Sequence, residues 1–106
     1  MSSDAGIAEV YAKNKIPKLL ADLKGEIRQK YKAQVKGIFG SYARGEQKET
    51  SDIDILVDFE EDADLFDFTG LALFLEEKLN LRVDIVPEKS LRKEIKSSVL
   101  KEVVRV

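Results

Sequence analysis

The sequence predicts an α/β (α+β) fold in which helices pack on a small β-sheet. Three short stretches carry the apolar and β-branched residues typical of strands, and two of them alternate apolar with polar residues. Three longer stretches repeat apolar residues every three or four positions, which is the helical period. The order along the chain is helix, strand, strand, helix, strand, helix. A length of 106 residues fits one domain, residues 1–106, in which residues 1–13 form a frayed or helical lead-in.

The first half of the chain is predicted to begin with a helix at Ile16. Pro17 suits its first turn, because an N–H group there has no helical partner to lose. The apolar stripe of this helix consists of Leu19, Leu20, Leu23, Ile27 and Tyr31. A short strand, a turn of helix and a polar loop are predicted to follow at residues 34–39, 42–44 and 45–51.

Two later strands place aspartates opposite an apolar face. In residues 52–59, Asp52 and Asp54 alternate with apolar side chains, and in residues 81–86 Asp84 does the same. The apolar faces consist of Ile53, Ile55 and Val57 in the first strand and of Leu81, Val83 and Ile85 in the second. Each strand is therefore predicted to pack one face on a core and to turn its aspartates away from it.

Two further helices are predicted on either side of the last strand. The first follows an acidic loop at residues 60–64 and stops at Asn80. Its apolar stripe is Leu65, Phe68, Ala72, Leu75 and Leu79. Pro87 ends the strand, and Ser90 is predicted to be the N-cap of the final helix. The final helix carries Leu91, Ile95, Val99, Leu100 and Val103.

The composition narrows the possible chemistry. The chain is 43% hydrophobic and 36% charged, with 18 basic and 20 acidic residues and neither Cys nor His. The absence of Cys excludes a disulfide, a thiolate nucleophile and a Cys-based zinc site, and the absence of His excludes a Ser-His-Asp triad. Any metal must be held by oxygen, which favours Mg²⁺, Mn²⁺ or Ca²⁺, and any general base must be a carboxylate or a lysine.

Hydropathy and charge also bear on location and partners. No apolar run approaches the roughly 20 residues of a membrane helix, and the first residues lack the basic and apolar segments of a signal peptide. We therefore expect a cytoplasmic protein without membrane contact. The net charge of -2 argues against direct nucleic-acid binding, which usually needs a basic face. The small size favours a partner chain that completes the substrate site, in a homo- or hetero-oligomer.

Asp52 and Asp54 are the first candidate metal ligands. Side chains two residues apart on a strand point the same way, with Cα atoms roughly 6.6 Å apart. Two carboxylates at this spacing repel by roughly 2–3 kcal/mol at an effective dielectric of about 20, and a divalent cation removes that penalty. The alternative is two solvent-facing aspartates on an outer strand, although Asp is disfavoured in strands. Asp84 joins them if its strand lies beside theirs; otherwise it is an ordinary exposed aspartate near a strand end.

Gly40, Ser41 and Arg44 are candidate nucleotide-binding residues. Gly40 and Ser41 follow a strand and open a short helix, where backbone N–H groups and a hydroxyl can bind a phosphate. The alternative is an ordinary strand-to-helix turn. Arg44 lies one turn further on, where it can bind phosphates or form a surface ion pair with Glu46 or Glu49.

Together, the Gly-Ser turn and the three aspartates indicate one kind of site more specifically than any of these motifs does alone. A phosphate-binding turn, a strand with two aspartates on one face and a third aspartate on another strand are what a two-metal phosphoryl-transfer site requires. Two ions about 3.5–4 Å apart would bridge the carboxylates and a triphosphate, activate an attacking oxygen and neutralise the leaving pyrophosphate.

The stretch GSYARGEQKETSDIDILV resembles the signature of the minimal nucleotidyltransferase family of the DNA polymerase beta superfamily. That signature is Gly-Ser, ten residues, then Asp-x-Asp, and here residues 40–41, 42–51 and 52–54 match it in turn. Residues 83–86 resemble the strand that carries the family's third carboxylate. The likeness spans roughly residues 17–104 and implies a nucleotidyltransferase fold, with a mixed sheet and flanking helices.

The resemblance implies a role for each candidate residue. Gly40 and Ser41 would grip the nucleotide phosphates. Asp52 and Asp54 would bind two Mg²⁺ ions, or Mn²⁺ in their place, and Asp84 would bind one ion and activate the attacking hydroxyl. The reaction would move a nucleoside monophosphate, usually AMP from ATP, onto an acceptor.

Family members of this size are often encoded beside a small helical HEPN-domain protein and resemble antitoxins. Some adenylylate a tyrosine hydroxyl of the HEPN ribonuclease and silence it. The resemblance therefore implies a protein adenylyltransferase with a HEPN-type partner. Two alternatives stay open: a non-catalytic antitoxin that neutralises its partner by binding, and an enzyme that modifies a small molecule such as an antibiotic hydroxyl.

Overall fold

A computed structural model describes residues 16–46 and 52–106 of the protein. The helices in these ranges are α1 (Ile16–Tyr31), α2 (Ser41–Arg44), α3 (Leu65–Leu79) and α4 (Lys93–Glu102). The strands are β1 (Ala33–Phe39), β2 (Ile53–Phe59), β3 (Val83–Pro87) and β4 (Val104–Arg105), and a 3-10 turn spans Glu88–Ser90. The predicted lead-in at residues 1–13 and most of the predicted polar loop, residues 47–51, lie outside the described ranges.

The described strands form one mixed sheet in the order β3-β2-β1-β4. Strand β1 is antiparallel to β2 and to β4, whereas β2 and β3 are parallel. Parallel neighbours need a long connection between them, and α3 supplies it. The predicted fold class, a small mixed sheet with helices packed on it, is confirmed.

The core lies between the sheet and helices α1 and α3. The predicted apolar face of β2, formed by Ile53, Ile55 and Val57, is fully buried there. Helix side chains that pack in the same cluster include Leu20, Ile27, Leu71, Leu75 and Leu79. None of the helices in the described ranges is both long and apolar enough to cross a membrane.

Helix α3 has the predicted boundaries, and capping residues explain both ends. At its start, Asp64 and Asp67 each accept a hydrogen bond from the other's backbone N–H, which is a capping box. At its end, Asn80 adopts the left-handed conformation with φ 55°, as predicted for the residue that stops it. The predicted stripe is wrong at Leu65, which is 76% exposed, because the buried face of α3 begins deeper in the helix, at Leu71.

The last helix differs from the prediction. Ser90 is not its N-cap: the hydroxyl donates a hydrogen bond to the Pro87 carbonyl, 2.8 Å away, and closes the 3-10 turn. Helix α4 begins at Lys93 after Arg92, whose side chain makes no capping hydrogen bond. Within α4 only Val99 of the predicted stripe is buried, and Ile95 is 51% exposed.

Strand β4 was not predicted, and it fixes the C-terminal segment at one edge of the sheet. Val104 and Arg105 pair with β1, and the Val106 N–H donates to the Lys36 carbonyl at 3.3 Å. The Lys24 ammonium of α1 donates to the Val106 carbonyl at 3.1 Å. Gly37 allows this approach, because a Cβ atom there would overlap the Val104 carbonyl oxygen.

Candidate active site

The candidate residues gather at one end of the sheet, where β1 ends and where β2 and β3 begin. In the antiparallel register Phe39, the last residue of β1, lies opposite Asp54. In the parallel register Asp54 lies opposite Asp84. The two aspartate strands are therefore neighbours, as the metal prediction required, and the turn after β1 lies beside them.

Asp54 and Asp84 form a carboxylate pair. Register partners on adjacent strands lie about 4.8 Å apart, and Asp84 is close enough to Asp54 to raise the pKa of its carboxyl. Burial raises the pKa of Asp54 to about 6, together with the charge and hydrogen bond of Asp84 and the charge of Asp52. The Arg44 guanidinium acts in the opposite direction. The end of the sheet therefore concentrates negative charge that a cation can neutralise.

Gly40 brings the backbone turn directly against this pair. Its φ of 77° and ψ of -150° are accessible to glycine and strained for other residues. A Cβ atom at this position would overlap Asp54 Oδ2. Only a residue without a side chain therefore lets the turn after β1 approach the carboxylate.

We expect Gly40→Ala to weaken ATP binding at least about tenfold and to lower the free energy of unfolding by about 1–3 kcal/mol, the usual cost of one strained residue. Gly45→Ala is the matched control, because Gly45 also has a positive φ, 72°, but a Cβ atom there meets nothing within 4 Å. The control should lose stability and keep its affinity for ATP. Calorimetric titration and denaturant unfolding measure the two effects, and equal affinity losses in both variants would contradict a specific role for the contact with Asp54.

Ser41 and Arg44 occupy the two ends of α2. Ser41 is its first residue and is half-buried. Arg44 donates from Nε to Glu46 Oε1 at 2.8 Å and from Nη1 to Glu102 Oε1 at 3.0 Å. The predicted ion pair with Glu46 is therefore present, and Arg44 is also close enough to Asp54 to lower the pKa of its carboxyl.

Asp52 lies immediately before β2 and is exposed. The prediction that β2 begins at Asp52 is thus off by one residue. The charge of Asp52 raises the pKa of Asp54, and it also raises the pKa of Tyr42, where burial is the larger cause. Asp52 therefore lies beside the carboxylate pair and near the short helix α2.

The donor set fits Mg²⁺, although the predicted three-carboxylate cluster is only partly assembled. In residues 16–46 and 52–106, no three His, Cys, Asp or Glu side chains are close enough together to hold an ion. Asp54 and Asp84 are register partners, and Asp52 is near enough to raise the pKa of Asp54, but the three carboxylates do not converge on one point. Mg²⁺ is usually bound by one or two carboxylates together with substrate phosphates, so a pair beside a candidate phosphate-binding turn suits it.

Glu102 also reaches this site and was not among the predicted residues. Its Oε1 accepts a hydrogen bond from the Gly40 N–H at 2.8 Å and the one from Arg44 already described. Glu102 is 62 positions from Gly40 in the chain, and no motif links the two. Only the course of the C-terminal segment along β1 brings it here.

A mixed sheet with a Gly-Ser turn next to paired aspartates is the arrangement expected of a nucleotidyltransferase. The chain belongs to the nucleotidyltransferase domain family, whose model matches residues 20–106. It is 50% identical over 91 residues to the protein adenylyltransferase MntA of Thermococcus cleftensis, a match that covers 86% of this chain and 92% of that protein. A protein of Methanocaldococcus jannaschii, provisionally designated a protein adenylyltransferase, is 47% identical over 78 residues, covering 74% of this chain and 91% of its own.

Solved structures agree with this assignment. A structure provisionally described as a minimal nucleotidyltransferase is 38% identical, with a TM-score of 0.70, and the match covers 84% of this chain and 94% of that one. A crystal structure of a toxin–antitoxin pair with AMP-PNP is 34% identical, with a TM-score of 0.62, and the match covers 87% of this chain and 69% of that one. The protein is therefore a nucleotidyltransferase enzyme of the minimal type.

Proposed function

We propose that this protein transfers AMP from ATP to a hydroxyl group, most specifically a tyrosine hydroxyl of a HEPN-type toxin, and thereby acts as an antitoxin. The observation that carries the proposal is the Asp54–Asp84 pair at the parallel β2–β3 junction, with the Gly40 turn against it. Two comparisons support the choice of substrates. One relative is named a protein adenylyltransferase, and one similar structure is a toxin–antitoxin pair with AMP-PNP.

The residues divide into phosphate ligands and metal ligands. The turn that Gly40 opens and the hydroxyl of Ser41 receive the triphosphate, and the Arg44 guanidinium contributes positive charge to the same site. Asp52 and Asp54 would hold two Mg²⁺ ions, and Asp84 would hold one of them. When bound, Mg²⁺ supplies charge neutralisation for the phosphates and for the departing pyrophosphate.

The proposed reaction is a single displacement at the α-phosphorus of ATP. The Asp84 carboxylate accepts the proton of the acceptor hydroxyl, and the hydroxyl oxygen forms the new bond to the α-phosphorus. The bond from that phosphorus to the oxygen bridging to the β-phosphorus breaks, and pyrophosphate leaves. Asp84 is suited to this role because it is exposed on β3, where an incoming acceptor can reach it.

We expect ATP to bind wild-type protein only when Mg²⁺ is present and not to bind the Asp52→Asn/Asp54→Asn variant. Calorimetric titration with and without Mg²⁺ measures this. Intact-mass measurement of the toxin after incubation with ATP, Mg²⁺ and wild-type protein should then show the added mass of an adenylyl group. A toxin whose mass stays unchanged, although ATP binds, would exclude protein adenylylation as the activity.

A further inference from the structure

One carboxylate oxygen links two of the candidate nucleotide-binding residues. Oε1 of Glu102 accepts from the Gly40 N–H at 2.8 Å and from Arg44 Nη1 at 3.0 Å. Glu102 is the last residue of α4, whereas Gly40 and Arg44 bracket the short helix α2. The contact therefore joins the C-terminal segment to the turn that faces the carboxylate pair.

This contact restricts the position of Arg44. An arginine side chain has several rotatable bonds, and its ordering on ligand binding costs affinity. Here Nη1 donates to Glu102 and Nε to Glu46, so two different nitrogens of the planar guanidinium have partners before any nucleotide arrives. Because the same Glu102 oxygen also binds the Gly40 N–H, the guanidinium is fixed relative to the turn itself.

The position of Glu102 depends in turn on the edge of the sheet. Two residues after Glu102, at Val104, the chain enters β4, which pairs with β1 through Gly37 and Ile38. A Cβ atom at Gly37 would overlap the Val104 carbonyl oxygen and lie 2.7 Å from Val103 Cγ2. The close approach at Gly37 therefore sets where α4 ends and where the Glu102 carboxylate lies.

We propose that Glu102 is a positioning residue for nucleotide binding, which holds Gly40 and Arg44 in the arrangement that receives the triphosphate. The proposal rests on the proposed function, because it assigns Gly40 and Arg44 to the phosphates. Its physical content is preorganisation: an ordered guanidinium loses less conformational entropy when the nucleotide binds. Glu102 acts on KM for ATP and does not contact the reacting atoms.

The first test replaces Glu102 by alanine and by glutamine, with the toxin as acceptor. Glu102→Ala should raise KM for ATP about tenfold and leave kcat within about twofold, because the chemistry at the carboxylate pair is untouched. Glu102→Gln should restore most of the affinity, because an amide oxygen can accept both hydrogen bonds. A loss of stability alone would not produce this separation of KM from kcat.

The second test changes the position of Glu102 indirectly, by a substitution in β1 that displaces β4. Gly37→Ala should displace β4, because the new Cβ atom would overlap the Val104 carbonyl oxygen. It should therefore raise KM for ATP as Glu102→Ala does. Gly25→Ala is the control, because a Cβ atom there meets nothing within 4 Å, and it should leave KM unchanged. Thermal unfolding of each variant shows that it is folded at the assay temperature.

Three results would overturn the inference: an unchanged KM in Glu102→Ala, a lower KM, which would mean that the carboxylate competes with the triphosphate, or no rescue by glutamine. Titration of ATP with Mg²⁺ into the same variants separates this inference from the proposed function. If wild-type protein transfers nothing but binds ATP with an affinity that Glu102→Ala weakens, the transfer proposal fails and the positioning role stands. If wild-type protein binds no ATP, both fail.

Discussion

Replacement of Asp54 by asparagine should reduce adenylyl transfer about a thousandfold or more. Asp54 lies between Asp84, its register partner, and the Gly40 turn, so it touches both the metal side and the phosphate side of the proposed site. A bound cation contributes several kcal/mol of transition-state stabilisation, and about 4 kcal/mol corresponds to a thousandfold in rate. A neutral amide cannot hold the cation with comparable strength, so kcat should fall more than KM rises.

The control for this variant is Asp58→Asn. Asp58 lies on β2 four residues after Asp54, so it faces the same side of the sheet, and it is also half-buried. Its nearest described cation is Lys89, 3.8 Å from Oδ1, outside the candidate site. Asp58→Asn should keep wild-type kcat. Activity of Asp54→Asn close to that of Asp58→Asn would remove Asp54 from the proposed mechanism.

In the absence of metal, Asp54→Asn should raise the free energy of unfolding, and the size of this increase should depend on pH. The pKa of Asp54 is raised from 3.8 to about 6, so the folded state binds this proton more tightly than the unfolded state does. The favourable contribution of this proton is present below about pH 4 and is lost as the pH rises through about 6, above which the half-buried Asp54 carboxylate opposes folding. The full shift would correspond to about 3 kcal/mol, and we expect about 1 kcal/mol because water screens the half-buried carboxylate.

Urea unfolding in EDTA between pH 4 and pH 7.5 measures this effect. Asp54→Asn should match wild type near pH 4 and exceed it increasingly towards pH 7. Addition of Mg²⁺ and ATP should then stabilise wild type and leave the variant unchanged, because a ligand that binds only the folded state stabilises it. A stability difference that is constant across this pH range would show that folding does not raise the pKa of Asp54.

Alternation along β2 was sufficient to predict which face of that strand carries Asp54, because alternation is a local property. The apolar residues Ile53, Ile55 and Val57 assign one face of β2 to the core, and this leaves Asp54 on the other. That β3 lies beside β2 could not be derived from alternation, which carries no information about strand order. It depended on the resemblance, and the parallel register of Asp54 with Asp84 is a property of the assembled sheet.

The features that were missed depend on contacts between distant parts of the chain. Strand β4 is only two residues long and is exposed, so it has no periodic pattern, and its pairing depends on the absence of a side chain at Gly37. The position of Glu102 depends on the pairing of β4 with β1, so its contact with Gly40 could not be predicted either. Ser90 was assigned wrongly because a serine before an apolar stripe can either cap a helix or bond back to a preceding carbonyl, and here it bonds to Pro87.

Loss of toxin neutralisation by the Asp52→Asn/Asp54→Asn variant is the second large effect that we expect. If the protein neutralises its partner by adenylylation, cells that make the toxin and this variant should stop growing, whereas wild-type protein should protect them. The substitutions remove two charges at the end of the sheet and leave the buried face of β2 intact, so the variant should fold and still bind the toxin. Co-purification of the complex and intact-mass measurement of the toxin accompany the growth assay.

The complex decides between catalysis and occlusion. Asp58→Asn should protect cells as wild type does, which controls for loss of charge on the same strand. If cells with the Asp52→Asn/Asp54→Asn variant stop growing although they contain an intact complex with unmodified toxin, binding is not sufficient and neutralisation depends on the enzymatic activity. If these cells grow although the toxin in the complex is unmodified, the protein neutralises its partner by binding. The carboxylate pair would then serve nucleotide binding at most.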